Sequence, residues 1–383
     1  MASTSPPFSL AKANSTFSLD LFKKLSDDDK TANIFYSPLS ISSALAMVML
    51  GARANTAAQM SEVNSAKGPL NKYLTHSCAH ASLSSGSLQC LKPQNGDDEV
   101  HAKFGELLSE LNKEDAPYAL SVANRLYGEK SYRFNKVYTK KHYSAELKSV
   151  DFKKKAEEAR VHINDWVEKN TQGKIKDLLA EGAVDDSTRL ALINAVYFKG
   201  TWDQQFKEQD TVDFVLSLCR LTERHQPVKM MQQKSKFAHR SIPEINIKVC
   251  LGFFPPCNLE MELTHQKFVD WSRPDMMDQG TVEVKLPRFK LEETYELNNV
   301  LKKMGMLDAF DVSMSDFSGM SLANDLFLSK VVHKAFVDPL VPSYGIRSVD
   351  IPFTFIADHP FLFFIKHIPT KTTLFAGRYC SPE

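Results

Sequence analysis

The chain has 383 residues, 43% hydrophobic and 24% charged, which is an ordinary globular composition with enough apolar residues for a sizeable core. Its 47 Lys and Arg residues against 46 Asp and Glu residues leave a formal charge of +1, so no whole-protein field favours nucleic acid or an anionic membrane. The longest apolar helix-like run, 41–52, is shorter than the about 20 residues that a membrane span needs. We therefore expect neither a nucleic-acid partner nor a membrane partner.

The N-terminal stretch and the cysteines favour a reducing compartment. The first residues contain neither the basic nor the apolar segment of a secretion signal. The six cysteines are scattered without a CxxC pair, which favours free thiols over a disulfide framework. We expect a cytoplasmic protein, with unconventional release to the extracellular space left open.

Helical periodicity dominates the first half of the chain. Apolar residues recur at helical spacing in the stretches 17–25, 41–49, 104–111 and 159–167. Ser40 is placed to cap the second of these predicted helices. The segment 64–98 is rich in Ser, Gly and Asn and predicts a long surface loop, either disordered or a functional spacer.

Strand patterns dominate the second half. An alternating strand is predicted earlier, at 118–127, and the apolar run 190–202 is typical of a strand buried on both faces. A strand is predicted at 282–286, a short helix at 297–304 that ends at Gly305, and two closing strands. Helices followed by strands that pair over long sequence distances indicate an α+β fold.

Two polar residues lie inside predicted buried strands. Asn194 is in the middle of 190–202, and His333 is flanked by apolar residues in LFLSKVVHKAFV. A buried amide without a partner costs about 1–3 kcal/mol, so both side chains should be hydrogen-bonded. Either they are two separately satisfied core residues, or they form one polar cluster under a sheet with Ser37 and Ser40.

Motifs for catalysis or metal binding are missing from the sequence. It contains no G-x-S-x-G, H-E-x-x-H or G-x-x-x-x-G-K-[ST]. The spacing of Cys250, Cys257 and His265 is poor for a metal site, and the dispersed histidines pair with no nucleophile signature. We expect a protein that is not an enzyme and has no metal and no cofactor.

Seven stretches, in order, resemble motifs of the serpin family and are similar in detail to its intracellular clade B group: NIFYSPLSISSALAMVMLGARANTAAQM, ANRLYGEKSYRF, INDWVEKNTQGKI, LINAVYFKGTW, VKLPRFKLEETYEL, LFLSKVVHKAFV and ADHPFLFF. The resemblance implies a single domain over 1–383 with the α+β serpin fold, which has three β-sheets, about eight or nine helices and a reactive-centre loop. It also implies a monomer whose partner is a serine protease.

The resemblance implies roles for individual residues. Ser37, Ser40, Asn194 and His333 match the family's shutter, a polar cluster under the large sheet, and Trp202 matches its breach. Serpins inhibit as suicide substrates, because the protease cuts the reactive loop and becomes an acyl-enzyme. The freed loop then inserts into the large sheet as an extra strand.

The region 338–357, which is the reactive loop by this resemblance, departs from the family pattern. The acidic and small-residue hinge is absent, and counting back from ADHPF places the scissile bond at Arg347–Ser348. Only ten residues, 338–347, precede the bond, about 33 Å of extended chain, whereas a full extra strand takes about 15 residues. Pro339 and Pro342 also lack the N–H that an inner strand donates.

These departures leave two functional hypotheses. The first is a serpin-type serine protease inhibitor, and the second is a non-inhibitory binding or scaffold protein or a nonfunctional variant. Arg347 suits a trypsin-like S1 pocket, where an aspartate pairs with guanidinium, or it is an ordinary loop arginine. The short loop favours a substrate or weak competitive ligand over a trap.

A second departure lies near 249–258. Family members have a β-hairpin there, whereas this chain passes through CLGFFPPC. We expect the second sheet to lose a core hairpin, which would leave backbone groups unpaired.

Overall fold

A computed structural model describes residues 7–65, 98–113, 116, 118–135, 147–200, 206–219, 222–242, 247–250, 253–254, 263–337 and 353–382. Trp202, Arg347 and Ser348 lie outside these residues, as does 66–97 of the predicted loop. Within the described ranges, no helix combines the length and the apolar character that crossing a membrane requires.

The described residues contain seven α-helices. They are α1 (Pro7–Asp28), α2 (Pro38–Met49), α3 (Ala54–Ser65), α4 (Asp98–Leu111), α5 (Phe152–Asn170), α6 (His265–Trp271) and α7 (Asn298–Lys303). All five predicted helices are among them. Both edges of the predicted 64–98 loop are helical, because α3 runs through Ser65 and α4 begins at Asp98.

The start of α2 differs from the prediction. Ser37, not Ser40, is the N-cap, and its Oγ accepts a hydrogen bond from the backbone N–H of Ser40 at 3.2 Å. Pro38 occupies the first helical turn, where a missing N–H costs nothing and the fixed φ suits the helix. Periodicity placed the helix correctly, but the cap lay one turn earlier.

Fourteen strands lie in the described residues. They are β1 (Ile34–Tyr36), β2 (Tyr118–Glu129), β3 (Leu147–Val150), β4 (Leu190–Gly200), β5 (Val212–Cys219), β6 (Thr222–Ile242), β7 (Ile247–Cys250), β8 (Phe253–Phe254), β9 (Asp278–Pro287), β10 (Leu291–Glu296), β11 (Leu328–Val337), β12 (Phe353–Ile356), β13 (Phe361–His367) and β14 (Thr372–Tyr379). The predicted strands are confirmed, including the two that close the chain.

These strands form one five-stranded sheet and one nine-stranded assembly. The five-stranded order is β10-β11-β4-β2-β3. The larger assembly runs β1-β14-β13-β8-β7-β6-β9-β12, and β5 also pairs with β6. The long strand β6 pairs with β5 first, with β9 along its middle and with β7 at its end, so it belongs to two layers. Counted by layers, the described strands therefore give three sheets.

The predicted loss of a hairpin near 249–258 is wrong in the form stated. Strand β7 pairs with the end of β6 over four residue pairs, and its last residue pairs with the first residue of β8. Strand β8 pairs in turn with Leu362 and Phe363 of β13. Two residues suffice to join β7 to β13, because sheet continuity needs only local pairing. The hairpin is short, and the sheet is continuous through it.

Strand β4 is covered on both faces. Ala191, Ile193, Ala195 and Tyr197 pack in one apolar cluster with residues of α5. The alternate residues face the other side, where Leu192 packs with residues of α1 and α2. Because side chains alternate across a strand, Asn194 faces the α2 side.

Candidate functional site at the centre of the five-stranded sheet

The junction between β4 and β11, which we call the seam, is the one parallel pairing at the centre of the described sheet. Nine residue pairs join the two strands, from Leu190–Leu328 to Phe198–Val337. Their outer neighbours, β2 and β10, are both antiparallel to them. A strand that separated β4 from β11 would therefore be antiparallel to both if it entered from the β11 end by a reversal of the chain.

A row of polar residues crosses the sheet at the middle of the seam. Asn194 on β4 is the register partner of Asn124 on β2 and of His333 on β11. Tyr295 on β10 is the register partner of His333, with ring centroids 6.4 Å apart in a stacked arrangement. Four adjacent strands thus each place one polar side chain in the same row.

His333 links the seam to the start of α2. Its Nε2 accepts a hydrogen bond from the backbone N–H of Ser37 at 3.2 Å, and its Nδ1 donates to Asn194 Oδ1. A backbone N–H can only donate, so Nε2 carries the lone pair and the ring proton is on Nδ1. The tautomer of His333 is thereby fixed by α2.

Asn194 is the central member of the network. Its Nδ2 donates to Ser40 Oγ at 2.5 Å, to the Ser40 backbone oxygen at 3.2 Å, and to Asn124 Oδ1. Asn124 Nδ2 donates to Ser43 Oγ at 3.0 Å. We call these six residues the seam cluster: Ser37, Ser40, Ser43, Asn124, Asn194 and His333.

Burial keeps the seam cluster uncharged. His333 is 0% exposed and Asn194 is 1% exposed. Burial lowers the pKa of His333 to about 3, so its ring is neutral near pH 7. A neutral, hydrogen-bonded cluster is suited to holding the strands and the helix in register.

Tyr295 extends the connection to β1. Its hydroxyl oxygen accepts a hydrogen bond from the backbone N–H of Phe35 at 3.1 Å. Burial raises the pKa of the Tyr295 hydroxyl, so it stays protonated. The polar row therefore ties the five-stranded sheet to an edge strand of the nine-stranded assembly.

The structure brings together four of the site residues named from the sequence: Ser37, Ser40, Asn194 and His333. Trp202 and the Arg347–Ser348 bond lie outside the described residues. The sequence reasoning missed Asn124, Ser43 and Tyr295. Asn124 is only partly buried, as are its neighbours through most of β2, so its polarity alone was not unusual. Among the residues described, no group of three or more His, Cys, Asp or Glu could hold a metal ion.

The segment between the seam and the next strand is short. Strand β11 ends at Val337 and β12 begins at Phe353, which leaves 338–352 between them. Strand β12 pairs with β9 in the other assembly, so this segment connects two different sheets. The fifteen residues 338–352 must therefore provide both the connection from β11 to β12 and any strand that enters the seam.

Comparisons with known proteins agree with this architecture. A family model described as serpin (serine protease inhibitor) matches residues 12–382. Serpin B6 from Pongo abelii is 43% identical over 404 residues, covering 97% of this chain and 99% of that protein. Leukocyte elastase inhibitor from Homo sapiens is 41% identical over 406 residues with the same coverage. The structure of uncleaved ovalbumin matches with a TM-score of 0.83 at 32% identity, covering 97% of this chain and 100% of that one.

These comparisons also bear on length. The alignment with Serpin B6 spans 404 positions, which exceeds the 383 residues of this chain by 21. The alignment must therefore contain gaps in this chain, which means that Serpin B6 contains residues with no counterpart here.

Proposed function

This chain belongs to the serpin family, and we propose that it offers the 338–352 segment to a trypsin-like serine protease as a cleavable loop without trapping the enzyme. Arg347 would enter the S1 pocket, and the bond to Ser348 would be cut. The protein would act as a substrate or weak competitive ligand within an inhibitor family. By analogy with the clade B group, we propose that it does so as a cytoplasmic monomer.

The length of the cleaved arm against the length of the seam carries this proposal. Cutting after Arg347 frees ten residues, 338–347, from the end of β11. Reversal of the chain takes at least about two of them, as in a tight hairpin. About eight residues are then left for a seam of nine residue pairs, and nothing remains to carry an attached protease beyond its end.

The prolines weaken this arm further. Pro339 and Pro342 lie inside the freed segment. An inner strand must donate hydrogen bonds on both sides, and proline has no N–H to donate. Insertion would therefore leave acceptors on β4 or β11 unpaired in a buried sheet, which opposes the step that traps a protease.

Opening the seam has its own cost in this chain. Separating β4 from β11 breaks the hydrogen bond that joins Asn194 and His333 across the seam. We propose that the seam cluster acts as the shutter that an incoming strand must rearrange. A short arm would form few hydrogen-bonded pairs with β4 and β11 to replace those that are lost. The sheet in which β4 pairs directly with β11 is therefore favoured both before and after cleavage.

Incubation with trypsin, followed by a denaturing gel and mass spectrometry, tests the proposal. We expect one cut after Arg347 and no protease-sized covalent adduct. Arg347→Ala is the matched control and should remove that cut. Trypsin activity on a small chromogenic substrate should fall only transiently and recover as the loop is consumed. Absence of cleavage in the folded wild-type protein would instead favour a binding or scaffold role.

A further inference from the structure

Basic side chains are concentrated where β2 and β3 end and α5 begins. Residues 130–135 and 147–156 contain six basic residues against one acidic residue, Asp151, which gives a local formal charge of +5, whereas the whole chain carries +1. The six basic residues are all exposed, and we call them the basic edge: Lys130, Arg133, Lys148, Lys153, Lys154 and Lys155. The sequence between the two stretches, 136–146, lies outside the described residues and contains three lysines and one glutamate, so it brings no excess of acid.

Backbone pairing brings the basic edge together from three elements. Strand β3, which carries Lys148, pairs over its full length with the last four residues of β2. The backbone N–H of Lys130 then donates to the Val150 carbonyl at 2.7 Å, so β2 and β3 end side by side. Lys153 joins them from the first turn of α5, because its Nζ donates to Ser131 Oγ at 3.1 Å. The basic edge is therefore one surface, although its residues come from separate stretches of the chain.

The carboxylate of Glu129 holds this surface in place. Glu129 is the last residue of β2 and is 1% exposed. Its two carboxylate oxygens accept hydrogen bonds from the backbone N–H groups of Phe152 at 2.7 Å, Lys153 at 3.1 Å and Ser131 at 3.0 Å. Because negative charge stabilises a helix N-terminus, Glu129 fixes the start of α5 against the end of β2. The basic side chains thus project from an ordered base, which lowers the entropic cost of binding a partner.

Most of the positive charge of the basic edge is unpaired. Lys130 Nζ pairs with Asp151 at 2.6 Å, and Lys155 Nζ pairs with Glu158 at 2.9 Å. The other four basic residues have no carboxylate of a described residue within ion-pair distance: Arg133, Lys148, Lys153 and Lys154. Unpaired positive charge on an exposed surface attracts negatively charged partners.

The limits of the basic edge favour a short partner segment over a long polyanion. Glu157 and Glu158 follow directly on α5 and are exposed, so a polysaccharide or nucleic acid that continued along the helix would meet two carboxylates. Tyr132 is 9% exposed, and Lys153 Nζ lies 5.5 Å from its ring centroid, so this ring offers no open face on which a base could stack.

We propose that the basic edge binds a short acidic segment of a partner protein, with about four Asp or Glu side chains pairing with its basic residues. Five of the six basic residues are lysines. Lysine is a point charge on a flexible stem and suits carboxylates that are not held in one geometry, whereas arginine favours bidentate pairing. The surface lies on β2, β3 and α5 and is separate from 338–352, so this proposal does not depend on the proposed cleavage.

Fluorescence anisotropy of labelled hexaglutamate, titrated with the full chain, tests the proposal. We expect saturable binding in about 50 mM NaCl that weakens about tenfold in about 200 mM NaCl, because exposed ion pairs are screened by salt. Hexaglutamine with the same label is the control peptide and should not bind. A heparin hexasaccharide and a short DNA duplex, measured in the same way, represent the other polyanions.

Two double variants with equal changes in net charge separate the basic edge from the charge of the whole protein. Lys148→Glu with Lys154→Glu should weaken the binding of hexaglutamate by about tenfold or more, because attraction is replaced by repulsion. Lys174→Glu with Lys199→Glu changes two exposed lysines outside the basic edge and should weaken binding by less than about twofold. All four side chains are exposed, so both variants should keep the melting midpoint of the wild type.

Three results would overturn the proposal. The first is that the wild type does not bind hexaglutamate, and the second is that the two double variants lose binding equally. The third is tighter binding of the heparin fragment or the DNA duplex that is lost in Lys148→Glu with Lys154→Glu, because it would assign the surface to a different polyanion.

Discussion

The β7–β8 hairpin and the 338–352 segment are the two regions where the sequence resemblance implies a departure from the serpin pattern, and they differ in what the fold requires of them. The hairpin only has to join neighbours that are already in place, and a two-residue β8 pairs with β13 well enough to do so. To trap a protease in the way proposed for the family, the 338–352 segment would have to supply a new strand between β4 and β11, which are already joined by nine residue pairs. A short segment is therefore enough in the β7–β8 hairpin, where pairing is local. It is not enough in 338–352, where the segment would have to form a full strand between β4 and β11.

The two regions also differ in polar content. The seam carries buried Asn194 and His333, both fully engaged in hydrogen bonds. At β7 the buried Val249 is apolar. Opening the seam would therefore disturb a hydrogen-bonded network, whereas the hairpin region is held by packing and backbone pairing.

Restoring the hinge should give the largest effect. Insertion of about ten small residues after Val337 would bring the arm to the length of a full strand at about 3.3 Å per residue. We expect a denaturing gel to change from cleavage alone to a covalent complex with trypsin. An insertion of equal length that contains two prolines is the control and should still give cleavage only. If the proline-free insertion also gives cleavage only, arm length is not what prevents trapping.

Removing the centre of the seam cluster should give the next largest effect. Asn194→Ala leaves His333 Nδ1 without a partner and removes one of the two partners of Ser40 Oγ, and we expect the free energy of unfolding to fall by about 3 kcal/mol. Urea titration measures this change. Asn170→Ala, which removes an exposed side chain bonded only to the Trp166 carbonyl, should change it by less than about 0.5 kcal/mol. An equal fall in the free energy of unfolding for the two variants would show that the seam cluster does not stabilise the fold more than an exposed hydrogen bond does.

Acid should weaken the seam through His333. Its pKa is lowered by burial to about 3 in the folded chain, against about 6.5 when unfolded. Below pH 6.5, His333 is protonated in the unfolded chain but stays neutral in the folded chain. The free energy of unfolding therefore falls as the pH falls. Between pH 7 and pH 5 this residue should cost about 2 kcal/mol of unfolding free energy.

The variant His333→Gln isolates this contribution. Its amide can still accept from Ser37 and donate to Asn194, but it does not titrate. The difference in unfolding free energy between pH 7 and pH 5 should shrink by about 2 kcal/mol relative to the wild type. An unchanged pH slope would mean that His333 is protonated in the folded sheet.

The smallest predicted effect tests the shortened hairpin. Val249→Thr buries a hydroxyl at a position that is 0% exposed, and we expect a loss of about 1 to 2 kcal/mol in urea titration. Val196→Thr, on β4 and equally buried, is the matched comparison across the two regions. If Val249→Thr has no effect while Val196→Thr does, the β6–β7 pairing that buries Val249 is not formed in solution.

Sequence reasoning predicted the strands and helices well where a pattern was long and periodic. The run 190–202 predicted β4, and the polar residue in its apolar middle, Asn194, was correctly expected to be hydrogen-bonded. Asn124 and Tyr295 were missed because their place depends on register between strands far apart in sequence. Register is set by tertiary pairing, which periodicity does not encode.

Two errors have local causes. Ser37 and Ser40 both suit a helix cap, and only the position of Pro38 in the first turn distinguishes them. The hairpin near 249–258 was judged by the length of the family pattern, whereas the structure needs only two paired residues there.

The most direct test of the central claim is the melting midpoint of the protein before and after cleavage at Arg347. A full-length inserted strand would add hydrogen bonds on both sides and raise the midpoint strongly. Because the arm is too short and is twice interrupted by proline, we expect a midpoint that is unchanged or only slightly shifted. A large rise after cleavage would contradict it, because it would show that the arm completes the sheet.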